Sequence, residues 1–229
     1  MATDRLDLTK MNFRLCHIVT LALGLAAPVV QACDTALILT IDVSNSIDVA
    51  EYHLQTDGMA DALIDPEIMD ELIRGQVAIA VIQWSGVGRH EVSIPWTRIR
   101  GEGDVINLST LARTMPRAFV QSDTAIGNAV MFSLQQFDDA PVCKRRVIDV
   151  SGDGTPNAGG DVRAARSTAE RAGVTINGIA IEGMGLAITG FFNRAVITRD
   201  GFVITALTHR DYPRAIRAKI LREVSRVLG

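Results

Sequence analysis

The chain lacks most of the features that assign a protein to a class at first reading. Its charges nearly cancel, 23 Lys and Arg against 26 Asp and Glu. No basic excess therefore points to nucleic acid, and no acidic excess points to disorder. There is no internal repeat, low-complexity tract or linker, so the 229 residues fit one α/β domain. No Gly-Lys-Ser/Thr phosphate loop occurs, and the four histidines (His17, His53, His90, His209) show no His-Glu-x-x-His or paired spacing. Gly183-Met184-Gly185-Leu186-Ala187-Ile188 follows a strand but has Ile188 where a dinucleotide loop needs its third small residue, so it reads as a turn. Nothing supplies a nucleophile, a base and an orienting acid together.

Long apolar runs are scarce too. The longest, from Leu15 to Val30, spans about 16 residues, short of the roughly 20 that cross a bilayer as a helix. Met11-Asn12-Phe13-Arg14 opens it and Val30-Gln31-Ala32 closes it with small residues at −3 and −1. That order describes a secretory signal peptide over residues 1–32, cut after Ala32, with Met11 an alternative true start. The mature chain is then exported, periplasmic or secreted, with no transmembrane span.

Of only three cysteines, Cys16 would leave with the signal segment. Cys33 and Cys143 remain, an even pair in an oxidising compartment. Cys33 precedes Asp42 by nine residues and Cys143 precedes Asp153 by ten. If the two strands are parallel neighbours, both cysteines lie at the edge opposite the aspartates, where a disulfide would tie the base of the sheet. A lipidated Cys33, with Gln31 a poor fit to a lipobox, and two free buried thiols are the rivals. The disulfide is favoured.

What is present is an alternation of strands and helices. Ala36 to Val43 and Gly75 to Trp84 read as buried strands, and His90 to Trp96, with Pro95, as a short edge strand. Further strands are expected at Arg146 to Ser151, Val174 to Ile181 and Gly201 to Leu207. Helices are expected over Asp48 to Ile64, over Asp104 to Arg113 with Asp104 as cap, and over Thr124 to Phe137. Others follow at Asp161 to Ala172, ended by Gly173, at Thr189 to Val196, and at Asp211 to Leu228. The fold class is α/β: a doubly wound, mainly parallel six-stranded sheet with one antiparallel edge strand and helices on both faces. The last helix sets Arg210, Arg214, Arg217, Lys219, Arg222 and Arg226 opposite its apolar face, which reads as a solvated stripe.

The chemistry gathers where three strands end. Asp42-Val43-Ser44-Asn45-Ser46 closes the first strand, with one carboxylate and two hydroxyls at alternate positions, which share a face while the chain stays extended. Thr124 stands before a helix, and Asp153 follows another strand between Gly152 and Gly154. Ligands in open α/β sheets bind at the carboxyl ends of strands, and an oxygen-only donor set suits a hard cation such as Mg²⁺. Each residue alone is more often a helix cap or a turn. Five together at strand ends describe a metal site of Asp42, Ser44, Ser46, Thr124 and Asp153.

These motifs, in order and at domain-scale spacing, resemble a von Willebrand factor type A-like domain with its metal-ion-dependent adhesion site. The pieces are Asp42-x-Ser44-x-Ser46, Thr124 before a helix, and Asp153-Gly154 after a strand, with Trp84-Ser85 in support. The resemblance covers roughly residues 34–228 and is strongest to an uncharacterised family of exported bacterial proteins. One departure is the extra glycine in Ser151-Gly152-Asp153-Gly154, which leaves Asp149 as a second candidate for the acid. The resemblance implies that Ser44, Ser46 and Thr124 bind the ion directly, and that Asp42 and Asp153 act through waters or hydrogen bonds. Mg²⁺ is the expected ion, with Mn²⁺ or Ca²⁺ as alternatives. Neutral hydroxyls leave the cation's charge under-compensated, so the expected partner is a protein or peptide bearing an Asp or Glu carboxylate, captured by a monomeric binding module that is not an enzyme. A metal-assisted hydrolase using the ion as Lewis acid is the alternative, and a purely structural ion a third. Asp42-Val43-Ser44 is also similar to the aspartyl nucleophile of phosphatases, but those need a second acid at Ser44.

Overall fold

The computed structural model describes residues 33–183 and 187–225. The expected signal segment with Cys16 and His17 lies outside them, as do Met184 to Leu186, Arg226 and Leu228. Among the described residues, no helix is long and apolar enough to cross a membrane.

Six strands form one sheet: β1 (Cys33–Asp42), β2 (Ala78–Trp84), β3 (His90–Arg98), β4 (Cys143–Gly152), β5 (Thr175–Ile181) and β6 (Val203–Ala206). Their order is β3-β2-β1-β4-β5-β6. All neighbours run parallel except β3, which lies antiparallel on β2 at the edge. This is the doubly wound sheet expected from the alternating pattern. β1 is buried along almost its whole length because both its neighbours are covered on both faces.

The side-chain alternation of β1 separates two cores. Leu37, Leu39 and Ile41 pack with α1 (Val49–Leu63), α2 (Pro66–Arg74), α3 (Glu102–Thr114) and α7 (Tyr212–Val224). Ala36 and Ile38 pack on the other face with α4 (Ile126–Gln136), α5 (Val162–Arg171) and the residues after α6 (Ala187–Phe191). A helical turn of wider pitch, Phe192–Val196, continues α6 and buries Phe192.

Local chemistry sets most boundaries. Asp48 and Glu51 form a reciprocal capping box at the start of α1. Gly173 ends α5 with a positive φ of 65°, which a residue with a Cβ adopts at a cost. Several boundaries shift from expectation, and two of the shifts have a clear local cause. Pro66 ends α1 and also opens α2, a helix the sequence pattern did not suggest: Asp65 caps it by accepting from Glu67 N and Ile68 N, and proline is well tolerated at the first helical position. α3 starts at Glu102 rather than at Asp104, whose carboxylate instead accepts the Arg100 N–H at 2.8 Å from inside the first turn.

The stripe expected on the last helix is broken at its centre. Lys219 is fully buried, not solvated. Its ammonium donates to Asp149 on β4 and, at 2.7 Å, to Glu223 one turn on. Asn177 on β5 donates to the same Glu223 carboxylate, and Lys219 lies 4.6 Å from the centre of the Phe202 ring. Burial pulls the Lys219 ammonium down to about 8, against the attraction of Glu223. Arg214 and Arg217 remain exposed and pair with Asp211 and Asp65.

At the amino-terminal edge, Cys33 lies opposite Cys143 in the β1/β4 register. The two form a disulfide with Cα atoms 4.5 Å apart, closing a separation of 110 residues.

Two outcomes are expected in urea denaturation. Replacing Cys33 and Cys143 by serine lowers stability by about 2–4 kcal/mol, the range for a disulfide closing a long loop; an unchanged midpoint would show that the bond constrains nothing. Lys219→Met leaves Asp149 buried without its cation and Glu223 with Arg145 at 3.6 Å, and costs about 3–5 kcal/mol; a loss near zero would mean that water reaches the group.

Candidate metal centre

The first strand delivers its polar end to the place where strand order reverses, with β2 on one side and β4 on the other. Asp42 is the last residue of β1 and is completely buried. Its Oδ1 accepts the Ser44 N–H at 2.8 Å, while its Oδ2 has no hydrogen-bond partner. Burial pushes the Asp42 carboxyl up to about 7, against the hydrogen bonds from Ser44, and the nearby Asp153 charge adds to the rise. When ionised, this oxygen has no hydrogen-bond donor, and the Arg117 charge offsets only part of the cost of burial.

The hydroxyls stand beside it. Ser44 Oγ and Ser46 Oγ are 3.2 Å apart, and Ser46 Oγ donates to Asp153 Oδ1 at 2.7 Å. The 3.2 Å spacing is close to the roughly 3.0 Å that separates adjacent ligands on an octahedral ion with bonds of about 2.1 Å. Asp42, Ser44, Ser46 and Asp153 are thus brought together from two strands. The second candidate acid, Asp149, is not among them. It lies in mid-strand on the α7 face, held by Lys219.

Thr124 is buried and enters from a third loop. Its N–H donates to Asn157 Oδ1 at 2.8 Å, and its carbonyl accepts from the N–H groups of Asn157 and Ala158. Asn45 N donates to Ser122 O at 2.9 Å, and Ala125 N donates to Ser85 O at 2.9 Å. The loop before α4 is therefore tied to the ends of β1, β2 and β4 at once. Ser85 is buried at this junction.

The extra glycine before Asp153 has a local cause. A Cβ on Gly152 would lie 3.2 Å from Asp42 Oδ2 and 3.5 Å from the Trp84 ring. The absence of a side chain leaves the space in which the buried carboxylate sits. The Ser44 and Ser46 hydroxyls with the Asp42 and Asp153 carboxylates fit a hard divalent cation in donor type and in hydroxyl spacing, and Thr124 stands on the adjoining loop. Among the described residues, no group of three or more His, Cys, Asp or Glu side chains forms an alternative metal cluster.

Four supporting residues did not stand out in the sequence. Arg117, from the loop after α3, donates from Nη2 to the carbonyls of Val43 and Ser44, each at 3.0 Å, and so braces the backbone of the Asp-x-Ser-x-Ser turn. Asn157 clamps Thr124. Glu51 reaches back from α1 so that its Oε1 lies 2.9 Å from His209 Nδ1, and His209 Nε2 lies 3.7 Å from Asp153 Oδ2. Only Glu51 left a readable sign, the Asp48-x-x-Glu51 capping spacing. His53 is exposed on α1, its ring tilted against Tyr52.

A family model described as "Protein of unknown function (DUF1194)" matches residues 32–228. A comparison with curated proteins gives no significant match. Among solved structures, proximal thread matrix protein 1 from the mussel byssus is similar with a TM-score of 0.64 at 19% identity, over 83% of this chain and 48% of that one. The chain thus spans about half that protein's length, and a form of the same protein with a zinc-occupied MIDAS motif (the metal-ion-dependent adhesion site) matches with a TM-score of 0.62. The pilus adhesin SpaC from Lactobacillus rhamnosus GG matches with a TM-score of 0.61 at 12% identity, over 84% of this chain and 30% of that one. The vWF domain of the type V pili tip protein Mfa5 from Porphyromonas gingivalis matches with a TM-score of 0.60 at 8% identity, over 86% and 98%. At such identities the likeness is one of fold. The family model matches residues 32–228, so the chain belongs to the DUF1194 family, and its fold is similar to that of von Willebrand factor type A domains.

Proposed function

We infer that this protein is an exported binding module, not an enzyme, which captures a carboxylate of a protein or peptide partner through a divalent cation held by Ser44, Ser46 and Thr124, with Asp42 and Asp153 behind them. The observation that carries the reading is the Asp42 oxygen, fully buried and without a partner, beside two hydroxyls at ligand spacing. When bound, the cation supplies an under-compensated positive charge that attracts an external anionic oxygen. The residues do the rest. Asp42 fixes the turn by accepting the Ser44 N–H, Arg117 braces that turn from behind, and Asp153 orients the Ser46 hydroxyl.

Three further observations agree. The neighbours in fold include a matrix protein, a pilus adhesin and a pilus tip domain, one of them with zinc in its adhesion-site motif. The Cys33–Cys143 bond suits an oxidising compartment, in keeping with export to the periplasm or beyond. The oxygen donors favour Mg²⁺, Mn²⁺ or Ca²⁺ over softer ions.

Two experiments test the reading. Mg²⁺ or Mn²⁺ raises the melting temperature of the wild type, but not of Ser44→Ala or Thr124→Ala. The gain is larger at pH 8 than at pH 5. A carboxyl whose folded pKa is raised from 3.8 to about 7 weakens the metal-free fold progressively as pH rises through that window, and the cation offsets this only where the group is ionised. Equal gains at both pH values, or in the variants, would contradict the assignment. In the second experiment, peptides carrying a central Glu or Asp are retained in Mg²⁺ and released by EDTA, whereas Gln and Asn versions are not retained. Equal retention of both sets would rule out carboxylate capture.

A further inference from the structure

Thr124 is the one proposed ligand that does not follow a strand, and a second loop holds it instead. After β4 the chain passes from Gly154 to Gly160 over the start of α4 and then enters α5. Asn157 lies in the middle of this strap. Its Oδ1 accepts the Thr124 N–H at 2.8 Å, and its own main-chain N–H donates to the Thr124 carbonyl at 3.1 Å. A second asparagine fastens the far end: Asn128 Oδ1, in the first turn of α4, accepts the Gly160 N–H at 2.8 Å. Two glycines permit so close an approach. A Cβ on Gly127 would clash with the Gly160 carbonyl, and one on Gly159 with Asn128 Oδ1. At its near end the strap begins beside Asp153, where a Cβ on Gly154 would lie 4.0 Å from the Thr124 methyl group. On its outer side it borders an open cleft of about 410 Å³, with Pro156, Arg163 and Phe191 in its walls. Asn157 and Gly159 are exposed. Hydrogen bonds rather than packed side chains therefore hold the strap against Thr124.

We propose that Asn157 is a positioning residue for the cation centre: by holding the Thr124 backbone from the loop that carries Asp153, it sets the two residues in register. This rests on the cation reading above and names the contact that fixes its third hydroxyl in place. Asn157 acts through Thr124 and not on the ion itself, as the carbonyls and carboxylates that orient metal ligands do. The neighbours of Thr124 have other anchors. Ser122 is bound by Asn45 N and Gly86 N, and Ala125 N is bound to Ser85 O. Those bonds fix the residues on either side, and the strap fixes Thr124 itself. Without the Asn157 side chain, Thr124 orders fully only when the ion arrives, and the lost conformational freedom subtracts from affinity. The main-chain bonds from Asn157 and Ala158 to the Thr124 carbonyl survive truncation of that side chain, so the strap itself persists. Cation binding thus depends on one acceptor atom, Asn157 Oδ1.

The test is titration calorimetry with Mn²⁺ alone on the full chain, with the melting temperature of the metal-free protein measured beside it. Asn157→Ala is expected to weaken Mn²⁺ binding by about 10- to 100-fold, the range for groups that orient a metal ligand. Its metal-free melting temperature stays close to that of the wild type. Asn157→Asp keeps the acceptor oxygen and recovers the affinity, whereas Asn157→Glu, equal in charge but longer, does not. Equal Mn²⁺ affinity in the wild type and Asn157→Ala would overturn the proposal and leave the cation centre standing. A wild type that binds no Mn²⁺ would overturn both. Recovery by Asn157→Glu as well as by Asn157→Asp would show that charge alone matters, and would overturn the proposal. A loss of affinity in Asn157→Ala matched by a fall in its metal-free melting temperature would reduce Asn157 to a support of the fold, and would overturn it too.

Discussion

A buried carboxylate at the end of the central strand governs the upper half of the molecule. Asp42 is inaccessible to water, and one of its oxygens is unsatisfied within the protein. A group in that state costs several kcal/mol unless a counter-charge is supplied. The surroundings are arranged to hold it rather than relieve it. Gly152 leaves the space, Ser44 satisfies one oxygen, and Arg117 uses its guanidinium on the Val43 and Ser44 carbonyls instead of on the carboxylate. Three loops tied to one another by main-chain hydrogen bonds then fix the hydroxyls beside it. A cation held as proposed would meet donors already fixed by these bonds, so little reorganisation would oppose its binding.

The strain of that end is balanced by firm construction elsewhere. The opposite edge carries the disulfide between adjacent strands. The α7 face carries the Lys219, Asp149 and Glu223 cluster, which anchors the last helix to the centre of the sheet. Both polar devices lie away from the metal centre, and aliphatic side chains of the two cores fill the space between. The disulfide thus secures the amino-terminal edge of β1 and β4 and the lysine cluster the middle of the sheet, while the oxygen-bearing side chains gather at the carboxyl ends of β1 and β4.

How much of this could be read from the chain depends on whether a residue's role is local. The strands were legible because β1 and β2 are continuous apolar runs, a pattern only a sheet covered on both faces explains. The disulfide was legible from nearly equal offsets, nine and ten residues, along two neighbouring strands. Asp42, Ser44, Ser46 and Asp153 were legible because oxygen-bearing residues at strand ends have no packing purpose, and the structure gathers these four. α2 was hidden because Pro66 marks an ending as readily as a beginning. Lys219 was misplaced because a lysine in a stripe with five arginines looks solvated, and its partner Asp149 is 70 positions away in the chain. His209 and Arg117 were invisible for the same reason: each acts through contacts that only the tertiary fold creates.

The most direct measurement of the central claim is anomalous X-ray diffraction from crystals grown with Mn²⁺. The account expects one strong anomalous peak within about 2.2–2.4 Å of Ser44 Oγ, Ser46 Oγ and Thr124 Oγ1, a range appropriate to oxygen ligands on an ion of this kind, with Asp42 behind the serines. A fully occupied Mn²⁺ peak elsewhere, or no peak at millimolar Mn²⁺ and pH 8, would contradict it.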